Sequence, residues 1–463
     1  AASAAASGLD VDRLFFQDRE GQVQGPYSAH HISAWYASGH LHEQVAVSNA
    51  GGEAVPLAVV LPEIQRYVDE SLTQWPALAA LAGLLDVPGD PTRQYHSQSF
   101  NIWRLEQHQL HRLVMACLLH LDIPIKFELP LEAFRNFMQQ VEHYMTKHRN
   151  PYHNFYHVVD VMQTCFVFVS TVGALDLLTD VEVLSLLIGA IVHDLDHRGT
   201  SNAYQVNAAT ELALRYNDQA PLEMHHTALT FQLLGVPAFD IFANLEPATR
   251  RQVRKLMITA ILATDMTVHF ALKDDLDATI VRNTPDDNNS EHGSIGSGSH
   301  RRNSSAGPVT LATEKDHETV LKTLLHIADI SNPAKPWHIS KKWSDLVIVE
   351  FFEQGDREKR EGLPVSPNMD RTTTEQASLS INFVDFIVAP FFIALTGLLP
   401  KVSWFCSQLS ENRAEWHRRN LAKVRECDDP EKVAEAEARW MRRDAAFQQV
   451  MNPVLDKSRG SET

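Results

Sequence analysis

The sequence contains little cysteine: Cys117, Cys165, Cys406 and Cys427 are the four among 463 residues. No two of them lie close together in the chain, which excludes a disulfide framework and a thiolate zinc site of the usual spacing. A reducing compartment follows, and we expect the protein in the cytoplasm. The first residues, Ala-Ala-Ser-Ala-Ala-Ala-Ser-Gly, include neither an initiator methionine nor an apolar signal core, an opening typical of a processed chain.

Basic residues and long apolar runs are also scarce. The 41 Lys and Arg against 58 Asp and Glu give a net charge of −17, and no long basic run offsets it, so we exclude DNA or RNA as an obligate partner. The longest apolar stretch, 381–399, is interrupted by Asn382, Asp385 and Pro390. A buried helix explains this stretch better than a membrane span, and we predict no transmembrane segment.

Hydrophobic periodicity divides the chain. From about Phe100 apolar residues recur every three or four positions, which predicts an all-helical domain. We predict a flexible tail at 1–10, a small domain at 11–62, a linker at 63–95, the helical domain at 96–456 and a tail at 457–463. Residues 283–308 are rich in Ser, Gly and Asn, and we expect a disordered loop there. Within it, Ser304 follows two arginines and is similar to a site for basophilic kinases.

The N-terminal segment from Leu14 to Leu41 reads as a short strand, a glycine turn and a small amphipathic helix. Gly25-Pro26-Tyr27-Ser28 and Trp35 resemble the GYF domain, a small α+β adaptor fold. That resemblance implies that Tyr27 and Trp35 contact a proline-rich peptide through an aromatic surface. Gly39-His40-Leu41 replaces the Gly-Tyr-Phe triplet of the family, so the aromatic surface is depleted. The alternative is that Tyr27 and Trp35 only form the core of a small domain.

The chemistry-bearing residues are histidines and aspartates at the ends of predicted helices. His153 and His157 are four apart and share a helical face, and His193 and His197 repeat that spacing. Nitrogen and carboxylate ligands suit Zn²⁺, Mn²⁺, Fe²⁺ or Co²⁺. Because an unpaired charge at Asp194, at the end of an apolar helix, would cost several kcal/mol, we expect a metal partner. Such a site can activate water and is suited to phosphate-ester hydrolysis.

Many ordered segments together resemble the catalytic domain of class I cyclic nucleotide phosphodiesterases, members of the HD superfamily, over about Phe100 to Asp456. The matching segments are Asn150-Pro151-Tyr152-His153-Asn154 with His157 and Asp160, His193-Asp194-Leu195-Asp196-His197-Arg198-Gly199, Leu222-Glu223-Met224-His225-His226, Ala263-Thr264-Asp265-Met266, Ala328-Asp329-Ile330-Ser331-Asn332-Pro333, and Glu350 to Asp356 with Met369-Asp370-Arg371. The fold class that follows is mainly α, an all-helical HD-type domain preceded by the small α+β GYF-like domain.

The resemblance also implies roles for individual residues. A first ion, normally Zn²⁺, is expected on His157, His193, Asp194 and Asp329. A second, normally Mg²⁺ or Mn²⁺, is expected to share Asp194 and to hold waters oriented by His197, Glu223 and Thr264. A bridging hydroxide attacks phosphorus in this scheme, and His153 protonates the departing O3′ oxygen. A 3′,5′-cyclic nucleotide thereby becomes its 5′-monophosphate.

The base pocket departs from the family pattern. Tyr152 and Asn332 are expected beside the phosphate and base, and Val347 and Phe383 on the two faces of the base. Ser380 stands where the family places a glutamine that binds the purine. Gln376 and Asn382 are the two candidates that could compensate for this loss. The choice between cyclic AMP and cyclic GMP is therefore left open, and plain core packing is the alternative for Val347 and Phe383.

Two rival functions remain at this stage. One is an HD-type phosphohydrolase acting on another nucleotide phosphoester, which the change at Ser380 makes conceivable. The other is an interaction protein, in which the GYF-like module recruits a proline-rich partner and the helical domain only senses cyclic nucleotides. The complete set His153, His157, His193, Asp194 and Asp329 argues against the second, because a binding module does not need it.

Overall fold

The computed structural model describes residues 14–17, 23–27, 29, 32–33, 36, 41–49, 54–74, 95–283, 310–426 and 429–460. Over these ranges the chain is mainly helical and carries one small N-terminal sheet, which confirms the predicted fold class. Several predicted features lie outside the described residues. They are the tail at 1–10, Trp35, most of the linker, the loop over 284–308 with Ser304, and Cys427.

The N-terminal module is an antiparallel sheet with a helix. Strands β1 (Leu14–Gln17), β2 (Val23–Tyr27), β3 (Ala46–Asn49) and β4 (Val55–Pro56) are arranged in the order β2-β1-β3-β4. Helix α1 (Leu57–Gln74) follows directly. Leu14, Ile32, Val47, Leu57 and Ile64 are among the side chains of a separate small core, so α1 belongs to this module beyond residue 62. Tyr27 is the last residue of β2, and the structure describes its backbone but not its side chain.

The second module is built from helices. Its helices in the described part are α2 (Gln107–His120), α3 (Ile123–Lys126), α4 (Leu131–Thr146), α5 (Phe155–Val167), α6 (Asp180–Val192), α7 (Asn202–Asn207), α8 (Glu211–Tyr216), α9 (Pro221–Leu233), α10 (Pro247–Leu262), α11 (His269–Asn283), α12 (Glu314–Asp329), α13 (Trp337–Glu361), α14 (Gln376–Phe383), α15 (Ala389–Leu395), α16 (Ser403–Arg425) and α17 (Pro430–Gly460). Short π-helical segments extend α5 and link α14 to α15.

Helix α6 lies at the centre of this module. It begins with a capping box in which Thr179 and Glu182 satisfy each other's free backbone groups. Every residue from Glu182 to Val192 is buried, and the helix packs against α5 and α10. The helix ends beside His193, which is fully buried, and Asp194, which is partly exposed, so it brings these two polar side chains to the edge of the core.

Local caps fix the other two helices of the site. Asn154 caps α5: its side-chain oxygen accepts the backbone N–H groups of Tyr156 at 3.0 Å and His157 at 3.4 Å. Thr313 and Asp316 form a capping box at the start of α12, whose last residue is Asp329. Short polar signals in the sequence therefore set where these two helices begin.

The turn after α6 is held in an unusual backbone conformation. Asp196 has φ of 69° and receives Lys147 Nζ at 2.5 Å, His148 Nε2 at 2.7 Å and His225 Nε2 at 2.8 Å. Gly199 has φ of 68°, and a Cβ there would stand 2.7 Å from Asn150 Oδ1. These contacts fix the spacing between Asp194 and the next turn of chain.

By length and composition alone, two helical segments of the described chain could cross a membrane: Phe155–Val172 and Gln376–Leu395. A third arises if Pro247–Leu262 and Met266–Asn283, which meet at an 80° bend, count as one span. The first segment is 83% buried inside the fold and carries His157, and the second, 39% buried, packs against α16. We interpret both as helices of the domain, and the absence of a transmembrane segment stays a prediction.

Candidate metal centre and nucleotide cavity

Four side chains from three helices converge at one point. They are His157 in α5, His193 and Asp194 at the end of α6, and Asp329 at the end of α12. One ligand atom from each lies within 4.8 Å of all the others. His157 Nε2 is 3.3 Å from Asp194 Oδ2 and 3.1 Å from Asp329 Oδ1, and His193 Nε2 is 3.3 Å and 3.4 Å from the same oxygens. The structure thus brings together all four predicted ligands.

The unsatisfied atoms of this cluster fit a divalent cation. Nε2 of His157 and of His193 are buried and have no hydrogen-bond partner among the described residues. His193 Nδ1 lies 2.8 Å from the carbonyl of Ala190, which makes Nδ1 the donor and leaves the lone pair on Nε2 facing the carboxylates. Two imidazole nitrogens and two carboxylate oxygens are a donor set that transition metals bind. The residues present therefore fit the expected ion.

Electrostatics at the cluster point the same way. Burial by itself would raise the pKa of Asp194 and Asp329, but the neighbouring imidazoles, His193 first, hold the pKa of both carboxyls well below the usual range. Burial would lower the pKa of His193, whereas Asp194 and Asp329 raise it well above its ordinary value. The two carboxylates thus favour positive charge between them. A cation bound there would displace the proton that the raised pKa favours on His193, and Nε2 would then offer its lone pair to that cation.

The three residues predicted to orient metal-bound waters, His197, Glu223 and Thr264, are all buried. His197 stacks at 5.8 Å between ring centroids on His226, whose Nε2 is 3.8 Å from Asp194 Oδ1. Glu223 is buried and receives Asn202 Nδ2 at 2.8 Å, and burial, followed by the charges of Asp265 and Asp194, raises its pKa to about 7. Thr264 is buried and donates to the carbonyl of Ile261 at 2.8 Å. A cation near Asp194 would favour the ionised form of Glu223.

His153 is oriented by Glu350 of α13. One Glu350 oxygen makes a short hydrogen bond with His153 Nδ1, and the other accepts the backbone N–H groups of Tyr152 at 3.0 Å and His153 at 3.1 Å. The free Nε2 of His153 then points toward Asp194 Oδ2, 4.0 Å away. Burial would lower the pKa of His153, but Glu350, then Asp194, raise it to about 9. The raised pKa favours the protonated form of His153, whose Nε2 faces the four-residue cluster.

His197 behaves differently from His153, although their rings are 3.8 Å apart between centroids. Burial and the neighbouring charge of His153 lower the pKa of His197 to about 3. Its Nδ1 accepts the backbone N–H of Gly199 at 3.1 Å. A neutral His197 beside a protonated His153 can receive and orient water without competing for the proton.

A cavity of about 150 Å³ opens beside the cluster and is lined by all five predicted substrate-binding residues. These are Tyr152, Asn332, Val347, Ser380 and Phe383. Tyr152 lies against His157, with ring centroids 4.8 Å apart, and its hydroxyl donates to Asn332 Oδ1 at 2.6 Å. Burial and the charge of Asp329 raise the pKa of Tyr152 well above its ordinary value, so the phenol stays a donor. Tyr152 and Asn332 therefore mark the end of the cavity nearest the metal cluster.

The two compensation candidates have different positions. Gln376 lines the same cavity as Ser380. Asn382 is exposed and lies instead beside a second cleft, with His417 and Trp440. Gln376 therefore remains a candidate for contact with the base. Asn382 lies on another face of α14.

Comparison with known proteins identifies the family. Residues 152–409 match the family model described as 3′5′-cyclic nucleotide phosphodiesterase, and residues 15–57 match the GYF domain. The first match covers more than half of the chain. The chain belongs to the 3′5′-cyclic nucleotide phosphodiesterase family.

Curated phosphodiesterases and solved structures support this assignment. The chain is 33% identical over 331 residues to the 3′,5′-cyclic-nucleotide phosphodiesterase regA of Dictyostelium discoideum, which covers 71% of this chain and 39% of that protein. It is 36% identical over 309 residues to the high affinity cGMP-specific 3′,5′-cyclic phosphodiesterase 9A of Mus musculus, covering 66% and 52%. It is 33% identical over 327 residues to the 3′,5′-cyclic-AMP phosphodiesterase 4C of Rattus norvegicus, covering 70% and 56%.

Among solved structures, the phosphodiesterase domain of the RhoPDE fusion protein from the choanoflagellate Salpingoeca rosetta matches with a TM-score of 0.61 at 30% identity. That match covers 70% of this chain and 94% of the solved one. The curated relatives are longer: the chain spans between 39% and 56% of their length.

Sequence reasoning missed several residues of this phosphodiesterase domain. Glu350 belongs to a segment that resembles the family, but the sequence predicted no role for it. In the structure it orients His153. His226 donates from Nδ1 to the carbonyl of Leu195 at 2.6 Å, and its buried Nε2 has no partner among the described residues. The signal for His226 was its place in the matching segment Leu222-Glu223-Met224-His225-His226, three residues after Glu223 in α9. Nothing in the local sequence around Glu350 indicates its partner, which is 197 residues away.

Proposed function

We propose that this phosphodiesterase domain hydrolyses 3′,5′-cyclic nucleotides to nucleoside 5′-monophosphates. The observation that carries the proposal is the position of a protonated His153 next to a four-ligand His and Asp cluster, with a mostly apolar cavity on the same side. A cyclic nucleotide carries an anionic phosphodiester, which suits His153 and the cluster, and a flat base, which suits the apolar cavity.

The reaction adds water across one P–O bond. A water oxygen forms a bond to phosphorus, the bond from phosphorus to O3′ breaks, and the proton on His153 Nε2 moves to O3′. Glu350 holds His153 Nδ1, so only Nε2 is free to deliver a proton. The attacking water gives up one proton as its oxygen bonds to phosphorus. We assign that proton to Glu223, whose pKa of about 7 would be lowered by a nearby cation so that it is a carboxylate, and we assign the orientation of the water to His197, which stays neutral.

The proposed ions are Zn²⁺ on His157, His193, Asp194 and Asp329, and Mg²⁺ or Mn²⁺ shared through Asp194. When bound, such ions lower the pKa of coordinated water and offset the negative charge of the phosphodiester. Since the chain has a formal charge of −17, it needs this local positive charge to attract an anionic substrate.

The base occupies the cavity between Phe383 and Val347, which both line it. Tyr152 and Asn332 face the sugar and phosphate end, because they lie beside His157. The names of the relatives include enzymes for cyclic AMP and for cyclic GMP at similar identity, so overall similarity does not choose between the two bases.

The test is turnover of cyclic AMP and cyclic GMP by the metal-loaded protein and by Asp194→Asn. We expect 5′-monophosphate from the native chain and a loss of at least a thousandfold in kcat for the variant, because that carboxylate faces both proposed ions. Asp274→Asn, the same change on an exposed carboxylate of α11, is the control and should keep full activity. Near-normal turnover by Asp194→Asn with the fold intact would exclude this mechanism.

Two further proposals concern the cellular setting. We propose that the GYF domain binds a proline-rich peptide, with Tyr27 and Trp35 in contact with it, and that the protein works in the cytoplasm. The three cysteines in the described part, Cys117, Cys165 and Cys406, are buried and unpaired, in line with a reducing compartment. Pull-down with a proline-rich peptide, compared between the native chain and Trp35→Ala, tests the first; cell fractionation tests the second.

A further inference from the structure

A cleft of about 700 Å³ lies beside Glu350 and shares no lining residue with the nucleotide cavity. Its walls are the segment 148–151 after α4, the segment 198–200 after α6 and one side of α13 from residue 350 to residue 360. The proposed reaction uses Glu350 alone from this lining. The other side chains of the cleft therefore need a separate explanation.

Basic side chains dominate the lining of this cleft, although the whole chain has a net charge of −17. Five lining residues are lysine or arginine, and three are carboxylates. Half of these charges are neutralised by ion pairs. The pairs are Arg357 with Glu361 at 2.9 Å, Lys359 with Asp370 at 2.7 Å, Asp356 with Arg371 at 2.5 Å, and Glu350 with His153.

Three arginines of the cleft have no ion-pair partner among the described residues. The side chains of Arg149 and Arg198 are exposed and make no hydrogen bond within the described ranges either. Arg360 donates from Nε only to the backbone carbonyl of Asp356, at 3.3 Å. Glu353 is the one lining carboxylate that no cation pairs with in the part of the chain that the structure describes. Three unpaired arginines against one unpaired carboxylate leave the cleft with an excess of positive charge, which favours an anionic ligand.

Arg149 and Arg198 leave the backbone from segments that touch each other. Asn150 donates from Nδ2 to the carbonyl of His197 at 2.7 Å, and a Cβ on Gly199 would stand 2.7 Å from Asn150 Oδ1. The residues on both sides of Arg198 therefore lie against the residue that follows Arg149. Because both arginine side chains line the same cleft, two like charges share a small region, and an anion between them would offset their repulsion.

A dianionic phosphate group is the ligand chemistry that this pair of arginines fits. Each guanidinium presents five N–H donors in a planar fork, and the fork matches two phosphate oxygens at a time. A phosphate monoester carries between about 1.5 and 2 negative charges at neutral pH, whereas a cyclic phosphodiester carries a single charge. The cleft volume of about 700 Å³, against about 150 Å³ for the nucleotide cavity, leaves room for the group to which the phosphate is attached.

We propose that Arg149 and Arg198 together bind a dianionic phosphate group in this cleft, at a site separate from the metal cluster. Free inorganic phosphate and phosphate monoesters both present such a group. The 5′-monophosphate that the proposed reaction releases is one of these monoesters, whereas the cyclic substrate lacks the second charge. The site thus favours the product over the substrate, and its existence does not depend on the hydrolysis itself.

Isothermal titration calorimetry with inorganic phosphate, 5′-AMP and 5′-GMP tests the site in the metal-loaded full chain. These probes can also bind the metal cluster, so the decisive background is Asp194→Asn, which loses the carboxylate proposed to hold both ions. We expect Asp194→Asn to keep the binding event of the cleft. Adding Arg149→Gln or Arg198→Gln should weaken that event at least about tenfold, the effect of losing one charge-assisted hydrogen bond. Equal affinity for the three probes would identify phosphate alone as the ligand, and tighter binding of the nucleotides would identify the monoester.

Matched changes separate recognition of phosphate from an effect on folding. Arg442→Gln, on an exposed arginine of α17 outside the cleft, should leave binding unchanged. Since the side chains of Arg149 and Arg198 have no partner in the described part of the chain, both glutamine changes should leave the midpoint of thermal unfolding unchanged. Should either chain fail to fold, Arg149→Lys with Arg198→Lys keeps both charges, loses the planar forks and should still weaken binding.

Two results would overturn the proposal. One is the absence of any binding event in Asp194→Asn with the three probes. The other is an event of equal strength in the chain that also carries Arg149→Gln and Arg198→Gln, which would place the bound phosphate elsewhere.

Discussion

Glu350 holds the imidazole of His153 from the side away from the ligand cluster. Its carboxylate accepts two backbone N–H groups and pairs with His153 Nδ1, and it lies almost fully buried. Burial would raise the pKa of Glu350, but His153 lowers it to about 2. The pair is therefore an ionised carboxylate and a protonated imidazole, with Nε2 ready to donate.

Glu350→Gln should move the alkaline limb of activity to lower pH. His153 is protonated below its pKa of about 9, and activity that needs this proton falls as the pH rises through that pKa. Without the carboxylate, the burial that lowers the pKa of His153 is no longer opposed by its strongest partner. Bound cations lower the pKa of His153 in both chains, so the difference between the two chains is the quantity to compare.

The measurement is kcat/KM against pH from 6 to 10 for the native chain and for Glu350→Gln. We expect the descending limb of the variant at least one pH unit lower than that of the native chain. Glu353→Gln changes an exposed carboxylate one turn along α13 and is the control. An alkaline limb that stays in place in Glu350→Gln would contradict the role of Glu350.

At the scale of elements, a buried ion pair joins α5 to the start of α13. Lys335 Nζ donates to Asp160 Oδ1 at 2.5 Å, and both side chains are at most 2% exposed. Asn332 Nδ2 reaches Asp160 Oδ2 at 3.4 Å, and Asn412 of α16 donates to the carbonyl of Lys335 at 2.7 Å. The pair therefore fixes the turn that carries Asn332 into the cavity.

Lys335→Met should destabilise the domain by about 3–5 kcal/mol, because it leaves the Asp160 carboxylate buried without its cation. Lys255→Met, which removes an exposed pair with Glu314, should change the stability far less, because solvent screens that pair. Urea unfolding measures both free energies. The double change Asp160→Leu with Lys335→Met should recover part of the loss; a double variant less stable than Lys335→Met would show that the charge is not the cause.

The sequence predicted the elements better than it predicted their contacts. Regular apolar spacing from about Phe100 predicted the all-helical domain, and the family resemblance predicted the four ligands, which the structure brings together from α5 and from the ends of α6 and α12. The roles of Glu350 and Lys335 were not predicted, because each binds a residue more than 170 positions away and no local pattern indicates that partner. The contact between Ser344 Oγ and Ser380 Oγ, 3.2 Å apart, joins residues 36 positions apart, and no periodicity reveals it.

At the scale of the whole molecule, the four ligands come from helices that the fold must bring together. α5, α6 and α12 each contribute to the cluster and pack against one another in the core. A cation on these ligands binds only the folded chain, so it stabilises the fold by mass action.

Zn²⁺ at about 100 times its dissociation constant should therefore raise the free energy of unfolding by about 2.7 kcal/mol. Thermal unfolding with increasing free Zn²⁺ measures this effect. His193→Ala, which removes one ligand, should abolish most of the metal-dependent increase. An equal increase in that variant would place the stabilising ion elsewhere.

The most direct test of the central claim is hydrolysis of cyclic AMP and cyclic GMP by the native protein before chelation, after chelation and after metal is returned. We predict that 5′-monophosphate forms from both substrates, stops when the metal is removed and resumes when Zn²⁺ with Mg²⁺ or Mn²⁺ is added back. Turnover that continues unchanged in protein shown by elemental analysis to be free of metal would contradict the account.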